Sequence, residues 1–272
     1  MSLFARTLIA VGLTLGAFGQ SFANDKQIDK QIKIVSDFWF PYNGTPTAAQ
    51  KGYVIDLARQ IAAKQGYTVD YKLGDRDEAA ELASSGKIDC IVGTDQNESA
   101  KLAFPKHAWG MSVNAAYTLN DAPNKPRTLA EAANLRVGAI DGYAYNDEIE
   151  RLLAKSKSVY RTPASPSAFT SMVLRLVVKK LDVVIEDVNV ANAAINKLQL
   201  SGRVVPTAVS AGKSEVFLAC TANERGKALV KMFDEGLTAA RANGSFAKVL
   251  GDYGLSDWVA SAARPAVAPR PQ

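Results

Sequence analysis

The sequence predicts an α/β fold, with parallel βαβ units arranged in two lobes of related topology. Three observations carry that expectation. Short apolar runs alternate along the chain with amphipathic stretches of helical period. One pattern occurs twice, as Lys87-Ile88-Asp89-Cys90-Ile91-Val92 and as Lys180-Leu181-Asp182-Val183-Val184-Ile185. Hydrophobic residues make up 47% of the chain and charged ones 22%, which favours a buried core over disorder.

Taken in order, the chain opens with Arg6, an apolar stretch from Thr7 to Phe18, and the small-x-small signal Ser21-Phe22-Ala23. That stretch is too short to span a bilayer. Residues 1–23 are therefore expected to be a signal peptide cleaved after Ala23, directing export of the mature chain. Ile32-Lys33-Ile34-Val35 alternates like a strand and ends in Asp37-Phe38-Trp39-Phe40-Pro41-Tyr42, where Phe38 and Phe40 are read as core. Gly52 to Gly66 reads as a helix with Val54, Leu57, Ala58, Ile61 and Ala62 on one face, closed by Gly66. A strand at Thr68–Tyr71, a helix at Asp77–Ser84 and a buried strand at Gly86–Gly93 follow.

The second series begins with a strand at Leu135–Ile140 and a helix at Tyr143–Lys155. Ser165-Pro166 opens a helix that presents Phe169, Met172, Val173, Leu176 and Val177 on one face and leads into the repeated pattern. Val216–Cys220 reads as a strand, Glu224–Asn243 as a long helix and Ser245–Tyr253 as a shorter one. Residues 264–272 hold three prolines and are expected to be disordered.

Composition removes several function classes. The net charge is +5, but the basic residues are scattered rather than forming the stripe that nucleic acid requires. The single histidine, His107, excludes a His-rich metal site, and zinc-type spacings are absent. Cys90 and Cys220 both sit in apolar runs, compatible with a disulfide or with two buried thiols.

The order of motifs resembles the family-3 periplasmic solute-binding proteins, the polar amino-acid receptors of ABC importers. The landmarks are Trp39-Phe40-Pro41-Tyr42, Gly52-Tyr53-Val54-Ile55-Asp56-Leu57, Ser85-Gly86-Lys87-Ile88-Asp89, Ala103-Phe104-Pro105, Leu181 to Asp187, and Ala242-Asn243-Gly244-Ser245. The resemblance implies a two-lobed periplasmic binding protein fold, each lobe a βαβ sheet flanked by helices. Two hinge strands cross near Asn114–Tyr117 and Ala211–Val216. Lobe 1 is then residues 24–114 plus 216–263, and lobe 2 is residues 118–211.

The same resemblance implies a ligand sandwiched by Trp39 and Tyr53, with Asp187 binding its amino group, Glu186 as a second acid, and Thr94 or Asp95 bonding from the first lobe. Family members usually grip the α-carboxylate with an arginine before the Phe-Ser/Pro motif. The stretch Gly93 to Leu102 contains none, and Glu98 or Lys101 falls at that position. The expected ligand is therefore a small cationic amine or an amino-acid-like solute. An ordinary amino acid held by Lys101 and by a helix start at Tyr143 is the competing reading. The implied protein is a monomeric, cofactor-free receptor delivering to a membrane permease. A periplasmic dehydratase on the same fold, or the partner of a membrane sensor, stands as the alternative.

Overall fold

In this computed structural model the described residues are 30–259, less 95, 97–100 and 144. The expected signal peptide, the proline-bearing tail and Asp95 lie outside them.

Ile32 and Ile34 alternate with exposed neighbours, and Gln31–Ser36 accordingly forms β1. β1 pairs in parallel with β2 (Thr68–Leu73) on one side and β3 (Cys90–Thr94) on the other. The crossovers are α1 (Tyr53–Lys64) and α2 (Arg76–Ser84). Gly66, at φ 73°, ends α1 as expected. The Gly66 amide donates to Ala63 O and the Tyr67 amide to Ala62 O, the paired bonds of a Schellman motif.

After the two-residue β4 (Leu102–Ala103), β5 (Gly110–Leu119) leads into the second series. There α3 (Leu129–Ala132), β6 (Arg136–Asp141), α4 (Asp147–Lys155), β7 (Ser158–Pro163), α5 (Ala168–Val177), β8 (Val183–Asp187) and α6 (Val188–Lys197) follow. The 18-residue β9 (Val204–Thr221) returns, and α7 (Glu224–Ala242) and α8 (Ser245–Asp252) close the described chain.

The strand order is β2-β1-β3-β9-β5-β8-β6-β7, with β4 beside β9. β9 and β5 run antiparallel from Leu119↔Val204 to Gly110↔Val216. β9 then continues against β3, while β5 also pairs with β8. These two strands thus belong to both halves, as crossing strands must. One core gathers Ile34, Leu57, Phe233 and Phe246, so α7 and α8 pack back onto the first lobe. The second lobe has its own core around Ile140, Met172, Leu176 and Val184.

The sequence repeat is structural. Asp89 takes the Lys33 amide at 2.8 Å, and Asp182 takes the Arg136 amide at 2.8 Å, each tying the entry of its strand to the neighbouring one. Arg225 and Arg136 supply the matching guanidinium contacts, at 2.7 and 2.6 Å. Cys90 and Cys220 face each other across β3 and β9 and form a disulfide.

Three expectations need correction. The helix read from Tyr143 starts at Asp147, because Asn146 accepts the Glu148 and Ile149 amides and caps it there. Phe38 and Phe40 are half-buried rather than core. β1 stops at Ser36, and the chain turns back on itself through reciprocal Trp39–Asn43 bonds, so the alternation does not extend to them. The strand read as Val216–Cys220 is only the end of β9, whose first half carries Pro206 and Gly212, residues that argue against a strand in the sequence.

Candidate functional site

The carboxyl ends of β1, β3 and β8 meet the crossing strands around a cavity of about 110 Å³. The first lobe contributes Asp37, Trp39, Arg76 and Gly93. Ser112, Asn114, Ser214, Glu215 and Val216 come from the crossing strands, and Tyr143, Tyr145, Asn146, Glu186 and Asp187 from the second lobe. An outer recess of about 560 Å³ shares Asp37, Arg76 and Tyr143 and runs on between the start of α2 and residues 163–166.

Trp39 is placed by the turn that ends β1. Trp39 N donates to Asn43 O at 2.8 Å, and the Tyr42 and Asn43 amides return bonds to Trp39 O. The peptide between Phe40 and Pro41 is cis. The Trp39 ring stacks on Tyr42 with centroids 4.0 Å apart and planes 17° apart, and it lines the cavity. Tyr53 does not form the second half of a sandwich. It is 1% exposed and lies behind Tyr42 in the first-lobe core. A side chain at Gly110 would place its Cβ 2.4 Å from the Tyr53 hydroxyl, so glycine there makes room for the ring.

The two adjacent acids have different environments. Asp187 Oδ2 accepts from Ser112 Oγ at 2.8 Å, from the Val113 amide at 3.1 Å and from Tyr42 Oη at 3.2 Å. Its Oδ1 accepts the Asn189 and Val190 amides at 2.8 and 3.1 Å, which makes Asp187 the N-cap of α6. Five donors occupy about all the acceptor capacity a carboxylate has. Glu186 is equally buried, but only its Oε1 is engaged, by the Asp187 amide at 2.8 Å. Its Oε2 has no partner among the described residues.

Burial pushes the Glu186 carboxyl well above the ordinary range; the Asp187 amide bond opposes this and the Asp187 charge adds to it. Asp187 is also raised by burial, against the pull of its hydrogen bonds. Asp37 is raised by burial despite the neighbouring Arg76 charge. Tyr143 is held protonated, mainly by burial, and Tyr145 Oη accepts the Ile140 amide at 2.9 Å, leaving its own proton to donate.

Of the other expected site residues, Thr94 is buried in β3 opposite Phe217, and Lys101 is exposed at the start of β4. Neither is among the described lining residues. Asp95 is not among the described residues. Tyr143 does line the cavity, but from the loop after β6 rather than from a helix start. Sequence reasoning missed Arg76, Asp37 and the polar residues of the crossing strands. Asp75 takes the Asp77 and Glu78 amides and so begins α2 at Arg76, a cap that Gly74-Asp75 does signal.

Two α/β lobes joined by two crossing strands, with a polar cleft at their strand ends, define a bilobal ligand-binding protein. The model of the bacterial extracellular solute-binding proteins, family 3, matches residues 32–256, and the chain belongs to that family. Solved structures agree on the fold. An amino acid ABC transporter substrate-binding protein from Streptococcus pneumoniae, bound to L-arginine, superposes with TM-score 0.67 at 17% identity, covering 82% of this chain and 94% of that one. A histidine kinase sensor domain with similarity to periplasmic binding proteins gives 0.65 at 21%, covering 83% and 97%. An ancestral amino acid-binding protein, a precursor of cyclohexadienyl dehydratase, gives 0.67 at 16%, covering 82% and 95%. No curated protein sequence matches this chain significantly. Among the described residues no helix is long and apolar enough to cross a membrane.

Proposed function

We propose that the chain is the periplasmic receptor of an ABC importer, capturing a small ammonium-bearing solute, amine or amino-acid-like, between its lobes. Lobe 1 is taken as residues 24–114 plus 216–263 and lobe 2 as residues 118–211, closing about β5 and β9. One observation carries the reading: in a cleft wall where Asp187 is saturated with donors, the adjacent Glu186 holds a buried oxygen with no partner among the described residues. A buried carboxylate oxygen without a donor is costly, and an incoming ammonium supplies both the charge and the hydrogen bond. Trp39 offers the ammonium a ring face, each such contact contributing about 0.5–2 kcal/mol. The role expected of Asp187 passes to Glu186, and Asp187 holds the wall in place.

Isothermal titration of the mature protein with amines and amino acids tests this. Glu186→Gln should weaken the bound ammonium compound by at least tenfold. Unchanged affinity in that variant overturns the assignment. A receptor that delivers its ligand to a membrane permease as a monomer should stay monomeric with and without ligand, read by analytical ultracentrifugation.

One observation favours a dehydratase-type enzyme as a second reading: the buried Glu186 carboxyl lines the cavity, and burial shifts it in the direction a general acid needs. Product formation from a ring-containing acid, abolished in Glu186→Gln, would establish that alternative. Saturable binding without turnover excludes it.

A further inference from the structure

Neighbouring residues of the crossing strands line two different spaces. Ser112, Asn114 and Ser214 face the cleft, whereas Met111, Val113 and Lys213 line a separate hinge recess of about 560 Å³ on the opposite side of β5 and β9. The first lobe bounds that recess with Leu250, Leu255 and Trp258. The second lobe bounds it with Val188 and Asn189, the two residues that follow Asp187. We propose that the hinge recess is a second ligand site, taking a small amphipathic carboxylate, and that its occupancy holds the cleft closed. The site stands apart from the reading of Glu186; only its effect on the cleft rests on the lobes closing about β5 and β9.

Size, shape and charge name the ligand class. The volume falls within the range of about 300–1,000 Å³ typical of small-molecule sites. Aliphatic and aromatic side chains dominate the described lining, and Lys213 is the sole charged one among them. Lys213 is exposed and forms no ion pair among the described residues. An apolar body against Leu255 and Trp258, with its carboxylate on Lys213, answers both features. The recess is joined to the cleft by hydrogen bonds. Asn189 Nδ2 donates to Tyr42 Oη at 2.9 Å, and the Asn189 amide donates to Asp187 Oδ1 at 2.8 Å, beside Glu186 on the cleft wall. Because the two spaces lie on opposite sides of the hinge, rotation that opens the cleft brings Val188 and Asn189 toward Leu255 and Trp258 and narrows the recess. A bound acid resists that narrowing. It therefore binds the closed form better, the differential affinity that a regulator requires.

Hexanoate and its uncharged amide, hexanamide, test the site on the mature protein by calorimetry and tryptophan fluorescence. Hexanoate should bind one to one and about threefold or more tightly than hexanamide. Lys213→Gln, a change at an exposed position, should erase that difference. The fluorescence change should persist in Trp39→Phe and vanish in Trp258→Phe. Unliganded melting temperatures within a few degrees of the parent show that the variants fold. For closure, spin labels on Asp77→Cys and Ser165→Cys, on opposite walls of the outer recess, should move closer together when hexanoate is added. The native cysteines are held in their disulfide and take no label. Absence of saturable binding, or a preference for hexanoate that survives Lys213→Gln, overturns the site. Binding that leaves the label separation unchanged or longer overturns its hold on the cleft. Binding seen only after deletion of residues 260–272, or only as a dimer dissociates, gives the recess to that segment or to a second copy and overturns the proposal as well.

Discussion

The hydroxyl of Tyr42 lies 3.2 Å from Asp187 Oδ2, joining a first-lobe turn to the start of a second-lobe helix. The same oxygen is 2.7 Å from Met111 O and receives Asn189 Nδ2 at 2.9 Å. A phenol has one proton, so it donates to Met111 O, the shorter contact, or to Asp187, and not to both at once. Burial and the Asp187 charge keep it protonated. Tyr42→Phe removes these bonds and leaves Asn189 Nδ2 with only its long contact to Met111 O, at 3.5 Å. Urea unfolding should show a loss of about 1–3 kcal/mol.

Asp187 and Glu186 should separate stability from binding. Asp187→Ala deletes the cap of α6 and strands the Ser112 and Val113 donors, costing about 3 kcal/mol or more. Glu186→Gln deletes only a charge and keeps a carbonyl for the Asp187 amide. Chemical denaturation and calorimetry on both variants should show stability falling in the first and affinity falling in the second.

The Glu186 environment predicts a pH signature. Because its folded pKa lies above the ordinary value of 4.5, the folded state favours the protonated form. Its contribution to stability is complete below 4.5 and is lost as pH rises through the folded value. Melting curves of Glu186→Gln and the parent should coincide near pH 4, with the variant melting higher as the pH increases. Ligand binding should also release a proton, read as a dependence of binding enthalpy on buffer ionisation heat.

Trp39 should report ligand. Of the three tryptophans, Trp39 lines the cavity, whereas Trp109 is fully buried against Phe233 and Trp258 packs on Phe246. Intrinsic fluorescence should change on saturation in the parent and not in Trp39→Phe.

The Cys90–Cys220 disulfide closes a sequence separation of 130 residues and clamps β3 to the end of β9. Reduction, or Cys90→Ser with Cys220→Ser, should lower stability by about 2–5 kcal/mol in urea titrations, with the ligand site intact.

The sequence by itself determined what depends on local period and local chemistry. The apolar face of α1, its glycine stop, the alternation of β1 and the repeated pattern that holds Asp89 and Asp182 were all legible there, because neighbours along the chain specify them. So was the ordered set of landmarks that marks the family. The tertiary structure decided which acid is committed. Asp187 and Glu186 are consecutive residues, and no local pattern tells them apart. The donors that saturate Asp187 include Ser112 and Tyr42, 75 and 145 positions away. It also buried Tyr53, bonded the two cysteines, and brought Arg76 to the cleft wall. Charge, burial and hydrogen-bond supply are properties of what surrounds a side chain, and for a cleft between two lobes those surroundings are assembled only when distant segments pack.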